Sequence, residues 1–144
     1  MFESLFASKN KKIVLKLQKE HQQILSLVKD IQKAYDRGDD QCIRTLLIEL
    51  ENVVLDHLMT EDVEFYRLVR DPKRSTKEIE YLIKQFEENF DTIKLALIDF
   101  LDKYTDDNAH YKEEFIKHFH DLVAILGARI EFEEKYLYGV LKAS

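Results

Sequence analysis

Two oppositely charged residues, Arg129 and Glu133, lie on a predicted helical face that is otherwise apolar. Side chains on this face recur at steps of three and four residues, the spacing that keeps them on one side of a helix. They are Phe115, Phe119, Leu122, Leu126, Arg129, Glu133, Leu137 and Val140. Because buried charge is costly unless it is paired, Arg129 and Glu133 must either pair inside the protein or bind something there.

Three more polar residues, His21, His57 and Glu61, fall on apolar helical faces earlier in the chain. The two halves of the sequence align as an internal repeat. This alignment places six residues at similar depth: His21, His57, Glu61, Phe90, Arg129 and Glu133. We therefore predict an inner polar layer, formed by His21, His57, Glu61, Arg129 and Glu133, with Phe90 as one of its walls.

The inner polar layer has more than one chemical interpretation. In the first, Arg129 lies between Glu61 and Glu133, supported by His21 and His57, and the network needs no ligand. In the second, His21, His57, Glu61 and Glu133 hold one metal ion, since inward His and Glu side chains in a bundle bind iron, manganese or zinc. A third treats the layer as a small-ligand pocket. The first is the main expectation, so neither a metal nor another cofactor is predicted.

The elements that must position these residues are four long helices. Apolar faces at helical spacing predict helices over residues 11–35, 41–69, 75–104 and 109–141, and residues 1–10 read as a short N-terminal leader helix. Gly38, Pro72 and a polar run at 105–108 mark the breaks. Short connections and one apolar face per helix predict an all-α, up-down-up-down four-helix bundle. We expect a single domain over residues 1–144.

Composition narrows the classes of function. The net charge is −6 and 45% of the 144 residues are hydrophobic, so neither a nucleic-acid surface nor a membrane span is expected. Cys42 is the single cysteine, which excludes an intrachain disulfide. With no signal-peptide pattern at the N-terminus, the expected location is cytoplasmic. No catalytic motif is present, and we predict a protein that is not an enzyme.

The inner polar layer resembles that of the hemerythrin-like family, the HHE cation-binding domains. In that family, a histidine on each helix and carboxylates one turn after two of them bind a di-iron centre. Half of the ligand pattern is present here as His21, His57 and Glu61, and Glu133 matches a carboxylate of the other half. Phe90 and Arg129 stand where the family has histidines. The resemblance therefore implies a four-helix bundle in which the di-iron site is lost.

The last helix is also similar to that of the regulator-of-sigma-D (Rsd/AlgQ) family of bacterial anti-sigma factors. The segment over residues 128–135 resembles that family's Ala-Arg-Phe-x-x-Glu-Asp-Lys, and residues 86–89 resemble its Leu-Glu-x-Asn. This resemblance implies a non-enzymatic transcription regulator that binds the C-terminal region of the primary sigma factor and limits its association with RNA polymerase. A hemerythrin-like protein that binds a cation or senses oxygen or redox state is the alternative.

Overall fold

The structure is a computed structural model that describes residues 2–70 and 76–143, with all side chains in these ranges except those of residues 2–8, 68–69, 89–90 and 143. Four long helices account for most of the described chain, and no strand occurs in it. They are α1 (Phe2–Asp36), α2 (Asp40–Arg70), α3 (Lys77–Tyr104) and α4 (Glu113–Phe132). A π-helical turn (Glu133–Leu137) and the short helix α5 (Tyr138–Ala143) continue α4. The predicted all-α four-helix bundle is confirmed.

Consecutive helices are neighbours in the bundle, and the last ones close on the first. Helix α1 packs against α2, α2 against α3 and α3 against α4, while α4 and α5 both contact α1. No described helix has the length and apolar character needed to cross a bilayer. This arrangement lets side chains of α1, α2 and α4 meet at the centre.

The turn between α1 and α2 follows from Gly38. Its φ of 69° lies in the left-handed region that favours glycine. The Gly38 N–H donates to the Tyr35 carbonyl and the Asp39 N–H to the Ala34 carbonyl, each at 3.0 Å, which is the Schellman pattern of helix ends. The Asp39 carboxylate then accepts a bond from the Cys42 N–H and caps the N-terminus of α2. The sequence predicted this break.

Two predicted boundaries were wrong. The separate leader helix does not form, because no glycine or proline interrupts residues 2–36 and α1 runs through them without a break. The last helix begins at Glu113 rather than at residue 109, since Asp106 binds the N–H groups of Asn108 and Ala109 and holds a turn there. Helix α3 begins at Lys77, two residues after the predicted start at 75, and Thr76 is its N-cap, accepting a bond from the Ile79 N–H. The predicted stop at Pro72 lies outside the described residues.

The inner polar layer separates two hydrophobic clusters. On α1, His21 lies between Leu17 of the smaller cluster and Ile24 of the larger one. On α2, His57 and Glu61 lie between Val54 and Phe65 in the same way. On both helices, apolar residues pack in the core above and below the polar layer. This packing fixes the position of the polar side chains along the bundle axis.

Candidate metal centre

The four candidate ligand residues meet in the bundle core. His21 comes from α1, His57 and Glu61 from α2, and Glu133 from the start of the π-helical turn. They are between 0% and 3% exposed. One ligand atom from each residue lies within 4.8 Å of the ligand atoms of the others. The bundle therefore gathers two imidazoles and two carboxylates around a single point.

Several distances within this group are close to those between atoms that share one ligand sphere. The Nε2 atom of His21 lies 2.9 Å from Glu133 Oε1 and 3.1 Å from His57 Nε2. His57 Nε2 lies 3.2 Å from Glu61 Oε1 and 3.3 Å from Glu133 Oε1. Ligand atoms bound tetrahedrally at 2.0–2.1 Å from zinc would be about 3.3 Å apart. Four of the distances are close to this value, whereas a span of up to 4.8 Å would have to close to about 4.2 Å, twice the metal–ligand distance, when an ion binds.

Two outer carboxylates orient the two imidazole rings. His21 Nδ1 lies 2.8 Å from Glu134 Oε1, and His57 Nδ1 lies 3.1 Å from Glu20 Oε1. Because a carboxylate only accepts hydrogen bonds, the network assigns a proton to each Nδ1. Once both rings are neutral, as metal binding requires, both Nε2 lone pairs point at the centre. Metal-binding histidines show the same pattern, with the second ring nitrogen donating to a carboxylate.

One buried carboxylate oxygen of the centre has no well-aligned hydrogen-bond donor. Glu61 Oε1 is buried and has no well-aligned donor among the described residues, although His57 Nε2 lies 3.2 Å away and Arg129 Nη2 3.9 Å away. Such an orphaned oxygen costs free energy unless a proton or a cation reaches it. The residues therefore fit a bound cation in their chemistry as well as in their spacing.

Burial, hydrogen bonds and neighbouring charges shift the pKa values of three residues in the centre. Burial by itself lowers the pKa of His57, but hydrogen bonds to Glu133 and Glu61 and their charges raise it to about 10. Burial raises the pKa of Glu61 to about 8, and the charge of Glu133 adds to this effect. Burial also opposes ionisation of Glu133, yet bonds from His21 and His57 and the charge of Arg129 hold its pKa below the usual range.

Arg129 pairs with both carboxylates of this centre, Glu61 and Glu133. Its Nε atom donates to Glu133 Oε2 at 3.1 Å, and its Nη2 atom lies 3.9 Å from Glu61 Oε1. The guanidinium stacks on the ring of Phe86, with Cζ 3.7 Å from the ring centroid. Glu133 thus faces the histidines with one oxygen and Arg129 with the other. The predicted wall at Phe90 lies outside the described side chains.

Three residues at the site were missed by the sequence analysis: Glu20, Glu134 and Tyr138. Glu20 and Glu134 each neighbour a predicted site residue in the chain, but their positions lie off the apolar helical faces. The Tyr138 hydroxyl lies 3.0 Å from both His21 Nε2 and Glu61 Oε2. Regular helical spacing predicted that Val140 would face the core. The π-helical turn contains one extra residue, and this shifts the buried face.

Comparison with known protein families finds a match to a cation-binding domain. The model of the Hemerythrin HHE cation binding domain matches residues 1–69 of the chain. Three of the four candidate ligand residues, His21, His57 and Glu61, lie within the matched segment. No curated protein and no solved structure matches the chain.

Replacing Arg129 tests whether its ion pairs matter for folding. We expect Arg129→Ala to lower the free energy of unfolding by roughly 3–5 kcal/mol, because it leaves buried carboxylates without their cation. Arg129→Met should cost less, since methionine refills the volume and the carboxylates can take up protons. Denaturant unfolding of chelator-treated protein measures both.

Arg44 provides the control for this experiment, because it pairs with Asp107 at the surface. Arg44→Ala should change the unfolding free energy by about 1 kcal/mol or less. Equal midpoints for Arg129→Ala and the unchanged protein would contradict a buried ion-pair network.

Proposed function

We propose that this protein binds a single transition-metal ion through His21, His57, Glu61 and Glu133. The observation that carries the proposal is the convergence of these four ligand atoms, with both Nε2 atoms directed inward by carboxylates on Nδ1. The family match over residues 1–69 supports it, because that family is described as cation binding. The sequence had favoured a network without a metal. The outer carboxylates, which it did not predict, change that preference.

The donor atoms narrow the choice of metal. Two imidazole nitrogens and two carboxylate oxygens suit iron, manganese or zinc, and the absence of thiolate argues against Cu(I). Such an ion supplies Lewis-acid or redox chemistry when it is bound. The chain itself contributes a buried, rigid ligand set in which hydrogen bonds to Glu20 and Glu134 hold each ring.

Arg129 supports a stoichiometry of one ion per chain. A carboxylate that bridges two metal ions presents one oxygen to each, and Glu133 presents one oxygen to the histidines and the other to Arg129. The guanidinium is a permanent cation that cannot be displaced by deprotonation. It therefore takes the place of a second metal ion. In this respect the proposed site differs from the di-iron centre implied by the hemerythrin resemblance.

Titration with Co(II) tests this function, because cobalt in a nitrogen and oxygen site gives visible absorption. We expect saturation at one equivalent per chain. A hundredfold excess of free ion over Kd should raise the free energy of unfolding by about 2.7 kcal/mol. His57→Gln should lose both effects, since the amide replaces one imidazole ligand.

His120→Gln is the control for this titration. His120 is exposed and contacts Gln32 rather than the centre, so its replacement should leave Co(II) binding unchanged. Circular dichroism checks that both variants are folded. Absence of Co(II) binding by the unchanged protein, or equal binding by His57→Gln, would contradict the proposal.

The outer carboxylate on His57 gives a second test. Glu20→Gln keeps the shape of the side chain but removes the charge that fixes the imidazole, and we expect the metal Kd to rise about 10- to 100-fold. Glu49→Gln makes the same change on an exposed helical surface and should leave Kd unaltered. Isothermal titration with Zn(II) measures both values. Equal affinities in the two variants would remove Glu20 from the site.

A protein partner is a separate proposal. No comparison supports the anti-sigma family, and binding to the primary sigma factor stays a prediction from the sequence resemblance. The described surface offers one feature that suits a protein partner. Met59, Val63 and Tyr66 lie one turn apart on α2 and are all more than half exposed, an apolar group of the kind found at interfaces.

Titrating the purified C-terminal region of the primary sigma factor into this protein tests the partner. With a net charge of −6, association with a basic region should slow as salt rises, because the screening length is only about 8 Å at physiological ionic strength. Stopped-flow rates at two salt concentrations measure this. No complex at low salt and micromolar protein would remove the anti-sigma function and leave the metal proposal untouched.

A further inference from the structure

Tyr138 is a buried residue whose hydroxyl points into the candidate metal centre. Its side chain is 1% exposed. The hydroxyl oxygen lies 3.0 Å from His21 Nε2, 3.0 Å from Glu61 Oε2 and 3.5 Å from Glu133 Oε1. It therefore contacts three of the four residues assigned to the metal. No function assigned so far uses it.

The π-helical turn is what brings Tyr138 to this position. The Tyr138 N–H bonds to the Glu133 carbonyl, a step of five residues instead of the four of an α-helix. Glu133 and Tyr138 consequently face the same point, and Leu141 is buried in place of the predicted Val140. Single π-helical turns are rare and occur often at functional sites, because they redirect side chains. Here the turn adds one oxygen to the centre.

The geometry around the hydroxyl is that of a ligand sphere. Ligand atoms on adjacent corners of an octahedron lie about 3.0 Å apart when the bonds are 2.0–2.1 Å long. Tyr138 lies at this distance from His21 Nε2 and from Glu61 Oε2, which is the carboxylate oxygen that does not face His57. The tyrosine ring also stacks on the His21 ring, with centroids 5.4 Å apart and planes at 19°, which holds the hydroxyl in place.

We propose that the Tyr138 hydroxyl oxygen is a fifth ligand atom of the metal centre and that it favours Fe(III) over divalent ions. This inference rests on the proposed function. Burial and the charges of Glu61 and Glu133 raise the pKa of the Tyr138 hydroxyl, so a bound Fe(III) must displace its proton. The centre then presents two nitrogens and three anionic oxygens, from Glu61, Glu133 and the phenolate. Three negative charges match a trivalent ion, whereas the two carboxylates alone match a divalent one. Hard, charged oxygen ligands favour a hard cation.

Ligation by Tyr138 is a proton exchange with no change of oxidation state. The oxygen–hydrogen bond of the phenol breaks, a bond from that oxygen to Fe(III) forms, and the proton passes to the buffer. Phenolate bound to Fe(III) absorbs visible light by transferring charge from ligand to metal. Neither imidazole nor carboxylate produces this band. The colour of the loaded protein thus reports directly on Tyr138.

The experiment loads Fe(III) from its nitrilotriacetate complex, removes the excess by desalting and records the visible spectrum. We expect a charge-transfer band in the unchanged protein and its loss in Tyr138→Phe. Tyr136→Phe is the matched control, because Tyr136 lies in the same π-helical turn but is 53% exposed, and this variant should keep the band. Resonance Raman spectra excited in the band should show phenolate vibrations, a readout that requires no variant.

Co(II) binding separates this inference from the function on which it rests. If Tyr138→Phe still binds one Co(II) but lacks the Fe(III) band, the fifth ligand is supported. Iron bound without a phenolate band, or a band retained in Tyr138→Phe, overturns the inference and leaves the four-residue site in place. No binding of Co(II) or Fe(III) by the unchanged protein overturns both proposals.

Discussion

The structure depends on how the bundle satisfies polar groups placed in its core. His21, His57, Glu61 and Glu133 are buried between two hydrophobic clusters, where an unpaired charge would cost several kcal/mol. The surrounding side chains supply hydrogen-bond and ion-pair partners for these polar groups. Glu20 and Glu134 hold the outer nitrogens of the rings, and Arg129 takes one oxygen of Glu133. Glu61 Oε1 has no well-aligned donor among the described residues, and a cation in the centre would satisfy it.

Arg129 adds a permanent positive charge to the inner polar layer. A guanidinium placed against Glu133 and stacked on Phe86 brings a permanent positive charge into the core. It stabilises the carboxylates in the absence of metal and lowers the negative charge available to a second ion. The ion-pair network and a single metal ion use different oxygens of Glu133 but share Glu61 Oε1, which also lies 3.9 Å from Arg129 Nη2.

The sequence predicted the parts of this arrangement that follow from helical periodicity. His21, His57, Glu61, Arg129 and Glu133 interrupt apolar faces at steps of three and four, so their depth could be read from spacing alone. Glu20 and Glu134 could not be found in this way, since their contacts depend on the angle between neighbouring helices. Tyr138 required knowledge of the π-helical turn, which shifts the buried face by one residue. The start of the last helix depended on a turn at Asp106 that competes with helical propensity.

The central claim is that one cation completes the buried group of acceptors. Anomalous diffraction at the zinc edge, from crystals grown with Zn(II), tests it most directly. The account predicts one anomalous peak per chain inside the bundle, about 2.0–2.2 Å from the Nε2 atoms of His21 and His57 and from oxygens of Glu61 and Glu133. A map with no peak at this position, in which Arg129 or protonated carboxylates fill the centre, would contradict it.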